Sequence, residues 1–141
     1  MANSLIVGGL KTGMQDSVAT PAGYQPDTSV PSFAEGYPDK FLLTENVLEA
    51  AADADVLFTD VWASMGQEEE AQKRREAFQG FQVNDEIMSV AKPDAMVQHC
   101  LPAHRGEEIT AEILEKHSTE IFDEAENRLH AQKAVLYLLM K

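Results

Sequence analysis

The sequence predicts an α/β fold in which a parallel sheet is flanked by helices. Short apolar runs alternate with longer amphipathic segments, which is the pattern of parallel strands joined by helical crossovers. With 141 residues the chain has the length of one domain, and a domain of this size can bury a core. Hydrophobic residues make up 44% of the chain, which excludes compositional disorder.

The apolar runs predict five strands, at residues 16–20, 41–44, 55–60, 95–100 and 119–122. The amphipathic segments predict six helices, at residues 2–13, 46–53, 67–79, 84–92, 110–116 and 124–140. Asn46, Asn84 and Thr110 each stand at the start of a predicted helix. Their side chains can accept hydrogen bonds from the free backbone N–H groups there, so we expect them to be N-caps.

Two segments depart from this alternation. Residues 21–40 contain four prolines and two glycines, which predict an irregular crossover with at most one helical turn, at residues 30–35. The chain also opens with helix 2–13, whereas a Rossmann-like, doubly wound domain normally begins with a central strand. We therefore expect a Rossmann-like parallel sheet that lacks its first strand, in a chain that starts inside a domain.

The charge and cysteine content exclude several classes of function. The net charge is −13, from 11 basic and 24 acidic residues, so the chain lacks the basic surface that nucleic-acid binding requires. The apolar runs are too short to span a bilayer, and no secretory signal pattern stands at the start. The single cysteine, Cys100, excludes an internal disulfide and is typical of a reducing compartment. We expect a cytoplasmic protein without nucleic-acid or membrane partners.

Polar clusters follow three of the predicted strands, at residues 60–68, 99–110 and 123–130. In open α/β sheets, ligands bind in the crevice outside the carboxyl ends of the strands. The three clusters therefore predict one shared crevice.

Cys100 has four possible roles. It is a small buried residue, a nucleophile with His99 or His104 as base, a zinc ligand together with His104, or a thiol that lines a pocket and contacts substrate. Adjacent residues on a strand point to opposite faces, so His99 is poorly placed to activate Cys100. Spacing alone leaves the four roles open.

Asp60 and Arg128 each have a structural and a functional interpretation. Asp60 either caps the turn that follows its strand or binds a substrate ammonium group. In the second case the turn Ser64-Met65-Gly66 offers a hydroxyl and backbone donors to a carboxylate, which together make an amino-acid site. Arg128 either binds a phosphate or carboxylate, or pairs with Glu124 four residues earlier on the same helix face.

Five segments of the chain resemble the ornithine carbamoyltransferase family, in the order in which that family has them. Three carry the polar clusters: Asp60-Val-Trp-Ala-Ser-Met-Gly-Gln-Glu68, His99-Cys-Leu-Pro-Ala-His-Arg-Gly-Glu-Glu108 and Asp123-Glu-Ala-Glu-Asn-Arg-Leu-His-Ala-Gln-Lys133. The other two are Ala2–Leu5 and Ala19–Asp27. Together they extend over nearly the whole chain.

The resemblance implies a reaction and a role for each site residue. The family transfers the carbamoyl group of carbamoyl phosphate to the side-chain amine of ornithine, which gives citrulline and phosphate, and it implies no metal or cofactor. The ornithine-binding residues it implies are Asp60, Ser64 and Met65. It further implies that Cys100 and Leu101 line the reacting centre at carbamoyl phosphate, that Arg128 binds carbamoyl phosphate, and that His99 belongs to the catalytic motif. In that chemistry the amine attacks directly, and Cys100 is not acylated.

The resemblance is confined to the second, ornithine-binding domain of the family. The Ser-Thr-Arg-Thr phosphate loop of the first domain has no counterpart here, nor do the opening strand of the second domain and its paired asparagines. Residues 1–141 are thus expected to be an N-terminally truncated ornithine-binding domain with little or no transferase activity alone, from a family that usually forms trimers. The alternatives are a non-catalytic amino-acid-binding or interaction module, a related carbamoyltransferase with another amine substrate, and a thiol hydrolase built on Cys100.

Overall fold

The computed structural model describes residues 1–63, 66 and 68–141, with the backbone alone for Glu68. Helices and strands alternate up to residue 59, and beyond it consecutive helices lie on either side of the last strand. In order they are α1 (Ala2–Thr12), β1 (Asp16–Ala19), α2 (Ser29–Ala34), β2 (Phe41–Thr44), α3 (Val47–Ala51), β3 (Val56–Thr59), a short 3-10 helix (Glu68–Glu70), α4 (Ala71–Ala77), α5 (Asp85–Val90), β4 (Met96–His99), α6 (Ala111–Lys116) and α7 (Ser118–Leu139). The α/β class is confirmed, and α2 supplies the single helical turn expected between residues 21 and 40.

The expected N-caps are confirmed at three helices. The Asn84 side chain accepts a hydrogen bond from the Ile87 amide at 3.0 Å. Asn46 caps α3 by accepting from two amides, and Thr110 caps α6 by accepting from one at 3.3 Å. These contacts satisfy backbone donors that a helix leaves free at its first turn, and they fix where each helix begins.

The four strands form two parallel pairs. β1 pairs with β2 from Asp16 opposite Phe41 to Ala19 opposite Thr44. β3 pairs with β4 in register, with Thr59 opposite His99 at the carboxyl end. Within the described residues the pairs are separate two-stranded sheets. This split agrees with the expected lack of a central strand, because the first strand of a doubly wound sheet lies between its two halves.

The strand predicted at residues 119–122 is wrong, because this segment forms the first turns of α7. Ile121 is fully buried, whereas its neighbour Phe122 is 62% exposed. The Ile121 amide donates to the His117 carbonyl at 3.2 Å, as in a helix. Two consecutive apolar residues do not define a period of two, and the helix-favouring residues that follow extend α7 backwards to Ser118.

The core has two parts, one for each strand pair. The part beside β1 and β2 is built from Ile6, Leu10, Val30 and Ala34. The part beside β3 and β4 is built from Val83, Val97, Ile109, Ile113, Leu114 and Ile121. The second part holds the carboxyl ends of β3 and β4 in place.

Helix α7 leaves the core after its first turns. Of its 22 residues, all of them described, Ile121 alone is buried. The apolar side chains along the rest of the helix are mostly exposed, among them Leu129, Val135, Leu136 and Leu138. None of the described helices is both long enough and apolar enough to cross a membrane.

Candidate functional site

The carboxyl ends of β3 and β4 bring Asp60 and Cys100 together. Because Thr59 lies opposite His99 in the parallel register, the residue after each strand has the other as its neighbour. The Cys100 thiol donates a hydrogen bond to the Asp60 carboxylate, with 3.0 Å between Sγ and Oδ1. The same carboxylate oxygen accepts from the Val61 amide at 2.8 Å. Asp60 therefore caps its own turn and also contacts the thiol.

The Cys100 thiol is protonated at neutral pH. Burial raises its pKa from 9.0 to about 12, and the hydrogen bond to Asp60 and the negative charges of Asp60 and Glu124 add to that effect. Only a thiolate is an effective nucleophile. The environment of Cys100 thus disfavours the thiol-hydrolase interpretation, and it is compatible both with a small buried residue and with a non-nucleophilic thiol that contacts substrate.

The His99 ring contacts a buried carboxylate. Its Nε2 lies 3.0 Å from Oε1 of Glu108, and both side chains are fully buried. Its Nδ1 accepts a hydrogen bond from the Leu101 amide at 2.9 Å. Because Nδ1 is an acceptor, the ring proton resides on Nε2 and points at Glu108. Both ring nitrogens of His99 thus have partners other than Cys100, although a ring nitrogen of His99 and the Cys100 sulfur lie within 4.8 Å of each other.

Glu108 fixes the loop that follows β4. Besides the contact with His99, Oε1 accepts a hydrogen bond from the His104 amide at 2.6 Å. The Leu101 amide, held by His99, belongs to a residue with a φ of 51° that precedes a cis peptide bond to Pro102. The carboxylate therefore holds β4 and the loop in one arrangement through side-chain contacts at both ends.

Arg128 reaches the same strand end from α7. Its Nη1 donates to the Cys100 carbonyl oxygen at 3.2 Å. Glu124 lies one turn earlier on α7, and its Oε2 is buried without a hydrogen-bond partner among the described residues. Burial raises the pKa of Glu124, opposed by a hydrogen bond from the His99 amide and by the positive charge of Arg128. Arg128 thus lies on a helix, as the sequence predicted, and it hydrogen-bonds to the carboxyl end of β4.

Two of the functional side chains at this edge were not predicted from the sequence. Glu108 stands beside Glu107 in a run that is typical of a solvated surface, and no local pattern marks it as buried. Glu124 appeared only as an alternative partner for Arg128. Its spacing of four residues from Arg128 is a usable signal, because residues four apart on a helix share a face.

The predicted ornithine-binding residues Ser64 and Met65 lie outside the described residues. Trp62, which precedes them in the sequence, contacts α4 and the residue that follows it. The Arg74 guanidinium donates to the Trp62 carbonyl at 3.3 Å, and the Trp62 ring stacks on Phe78 with 6.0 Å between centroids. A cavity of about 400 Å³ lies next to this segment, with Trp62, Arg75 and Glu107 among its walls. Its described walls do not include Asp60 or Cys100, so the cavity flanks the strand ends.

Among the side chains that the structure describes, two groups have metal-ligating atoms within 4.8 Å of one another. One is Asp60, His99 and Cys100, and the other is His104, Glu107 and Glu108. In the first group both ring nitrogens of His99 already make hydrogen bonds and Cys100 keeps its proton. A metal ion there would have to displace these contacts.

Comparisons with known proteins match almost the entire chain. The family model "Aspartate/ornithine carbamoyltransferase, Asp/Orn binding domain" matches residues 1–139. The ornithine carbamoyltransferase of Pyrococcus abyssi is 52% identical over 144 residues, which cover 99% of this chain and 45% of that protein.

Solved structures give the same result. The anabolic ornithine carbamoyltransferase of Campylobacter jejuni superposes with a TM-score of 0.92 at 40% identity, over 99% of this chain and 47% of that one. The ornithine carbamoyltransferase of Pyrococcus furiosus superposes with a TM-score of 0.86 at 51% identity, over 96% of this chain and 45% of that one. The chain therefore spans somewhat under half the length of the relatives that it matches.

Proposed function

The chain belongs to the aspartate/ornithine carbamoyltransferase family, and we propose that it is the ornithine-binding part of an ornithine carbamoyltransferase. The observation that carries the proposal is the contact between the Cys100 thiol and the Asp60 carboxylate at the shared end of β3 and β4. The names of the relatives support ornithine as the substrate that accepts a carbamoyl group, and carbamoyl phosphate is proposed as the donor. A cytoplasmic location is also part of the proposal.

In the proposed reaction the side-chain amine of ornithine attacks the carbonyl carbon of carbamoyl phosphate. A C–N bond forms, and the bond between the carbonyl carbon and the bridging phosphate oxygen breaks. The amine loses a proton, which leaves with the phosphate. The amine must react uncharged, although a free alkyl amine has a pKa of about 10.4. Removal of the amine from water at the strand ends lowers that pKa. The bound position of ornithine directs the lone pair of the amine towards the carbonyl carbon.

Asp60 and Cys100 are the proposed contacts of the amine. The Asp60 carboxylate attracts the ammonium form and then accepts a hydrogen bond from the amine, which orients it. Cys100 remains a neutral thiol, as its raised pKa requires, and takes part by hydrogen bonding without forming a covalent bond. Ser64 and Met65 are proposed to bind the amino-acid end of ornithine.

Arg128 and Leu101 are the proposed contacts of carbamoyl phosphate. The guanidinium of Arg128 already lies at the Cys100 carbonyl, within reach of a ligand at the end of β4. A positive charge there stabilises the negative charge that develops on the departing phosphate. The buried pair of His99 and Glu108 keeps Cys100 and Leu101 in position beneath the substrates.

Calorimetric titration of the purified chain with ornithine, with and without carbamoyl phosphate, tests the proposal. We expect ornithine to bind and Asp60→Asn to weaken its binding by about tenfold, as the loss of a charged hydrogen bond predicts. Asp94→Asn is the matched control, because Asp94 is exposed and precedes β4 at the opposite end of the strand. The proposal fails if a chain folded by circular dichroism gives no heat, or if both variants bind alike.

A non-catalytic amino-acid-binding module is the second candidate, and it would use the same contacts at the strand ends. The two candidates differ in one assay. Citrulline formation after addition of the carbamoyl-phosphate domain of a relative supports an enzyme part. Ornithine binding without any citrulline under those conditions supports the binding module.

A further inference from the structure

Arg74 on α4 connects three parts of the chain at a single guanidinium group. Its Nε and Nη2 lie 3.3 and 3.2 Å from the Glu70 carboxylate. Its Nη1 donates to the Trp62 carbonyl at 3.3 Å. Its Cζ lies 5.2 Å from the centre of the Tyr24 ring, in the crossover between β1 and β2. With only 21% of the side chain exposed, the guanidinium is largely removed from water.

Trp62, whose carbonyl accepts a hydrogen bond from Arg74, lies in the sequence between two of the proposed ornithine-binding residues. Trp62 follows Asp60 by two residues and precedes Ser64 by two. The Trp62 ring stacks on Phe78, and Tyr24 meets the same Phe78 ring edge-on at 5.0 Å. Arg74 and this aromatic cluster of Tyr24, Trp62 and Phe78 therefore hold the backbone and the ring of Trp62, two residues after Asp60.

From this geometry we infer that Arg74 is a positioning residue that fixes the segment from Asp60 to Trp62 and thereby holds in place Asp60, the proposed contact of the ornithine amine. The inference rests on the proposed function for its substrate, but the holding of the segment can be observed without any ligand. A planar guanidinium suits the task, because it can stack on a ring, bind a carboxylate and donate to a carbonyl at once. A lysine ammonium in its place keeps the charge but lacks the planar fork.

The single tryptophan makes the inference directly testable. Trp62 is the only tryptophan in the chain, so its emission maximum and its quenching by acrylamide report on this segment alone. We expect Arg74→Ala to shift the emission to longer wavelength and to increase quenching. Arg74→Lys should give the same changes, because a retained charge does not restore the carbonyl contact. Lys73→Ala is the matched control, since it removes a positive charge from an exposed position on the same helix.

Ornithine affinity and unfolding midpoint separate positioning from a merely structural role. We expect Arg74→Ala to raise the ornithine Kd by about tenfold, the effect of losing one charged hydrogen bond, while the urea midpoint stays near that of Lys73→Ala. The inference is overturned if Trp62 emission and quenching match the control. It is equally overturned if the segment loosens but the Kd does not change. If the parent chain binds no ornithine, the proposed function fails, and the Trp62 measurements still decide whether Arg74 holds the segment.

Discussion

The raised pKa of Cys100 predicts that its thiol reacts slowly with disulfides and that the rate keeps rising at high pH. At pH 8 a thiol with a pKa of 9.0 is about 9% thiolate, and one with a pKa of about 12 is about 0.01% thiolate, which is roughly a 900-fold difference. The more basic thiolate is intrinsically more reactive, by about 15- to 30-fold for a difference of three pKa units. The net expectation is a reaction about 30- to 60-fold slower than that of the unfolded chain, before burial slows it further.

The assay is the reaction of the single cysteine with a small aromatic disulfide, which releases an aromatic thiolate that is followed by its absorbance. The same chain in urea supplies the reference rate. The pH profile matters more than the absolute rate, because burial slows the reaction by a constant factor at every pH. For the folded chain we expect the rate to rise about tenfold per pH unit through pH 10, whereas the unfolded chain levels off near pH 9.

Asp60→Asn provides the second arm of this test. It removes a negative charge and a carboxylate acceptor from the thiol, both of which raise the pKa of Cys100. The variant should therefore react faster than the parent at pH 8 and level off at lower pH. Asp94→Asn should behave as the parent does. A folded chain whose rate levels off near pH 9, or an Asp60→Asn variant no faster than Asp94→Asn, would refute the reasoning.

Three further predictions concern stability, measured by urea unfolding. Asn84→Ala should cost about 1 kcal/mol by removing the N-cap of α5, and Asn84→Asp, which keeps an acceptor, should cost less. Glu108→Ala should cost about 1–3 kcal/mol because it leaves the buried His99 proton without an acceptor, and equal losses in Glu108→Gln would contradict this explanation. Burial raises the pKa of Asp16 above 3.8, so ionisation destabilises the folded state as pH rises through that range. Asp16→Asn should thus be more stable than the parent at pH 7, with a difference that shrinks towards pH 4; a constant difference would count against the explanation.

The local features of the fold could be predicted from the sequence because they depend on near neighbours. Asn46 and Asn84 cap the helices expected of them, and β1 to β4 lie where apolar runs stand between turn residues. The strand at residues 119–122 failed for the same reason in reverse. Two apolar residues, Ile121 and Phe122, are too few to define a period. The helix that continues after them determines the conformation of this segment.

The site was predictable in part. Asp60 and Cys100 follow neighbouring strands, and parallel pairing alone brings such residues together. Arg128 was expected on the last helix and in the shared crevice, and its guanidinium reaches the end of β4 from α7. Glu108 was missed because its burial depends on His99 and on the His104 amide, which are brought to it by the fold of the loop. No pattern of near neighbours encodes that a carboxylate will be enclosed.

The sparse burial along α7 has a consequence for how the helix exchanges its amide hydrogens. A helix in water draws most of its stability from tertiary packing, and beyond Ile121 the residues of α7 contribute little buried surface. Protection should therefore decrease along the helix, from values near global unfolding around Ile121 to values set by fraying around Leu138. Arg128 lies within this gradient. The arginine at the strand end thus belongs to a segment that opens locally while β3, β4 and their core remain closed.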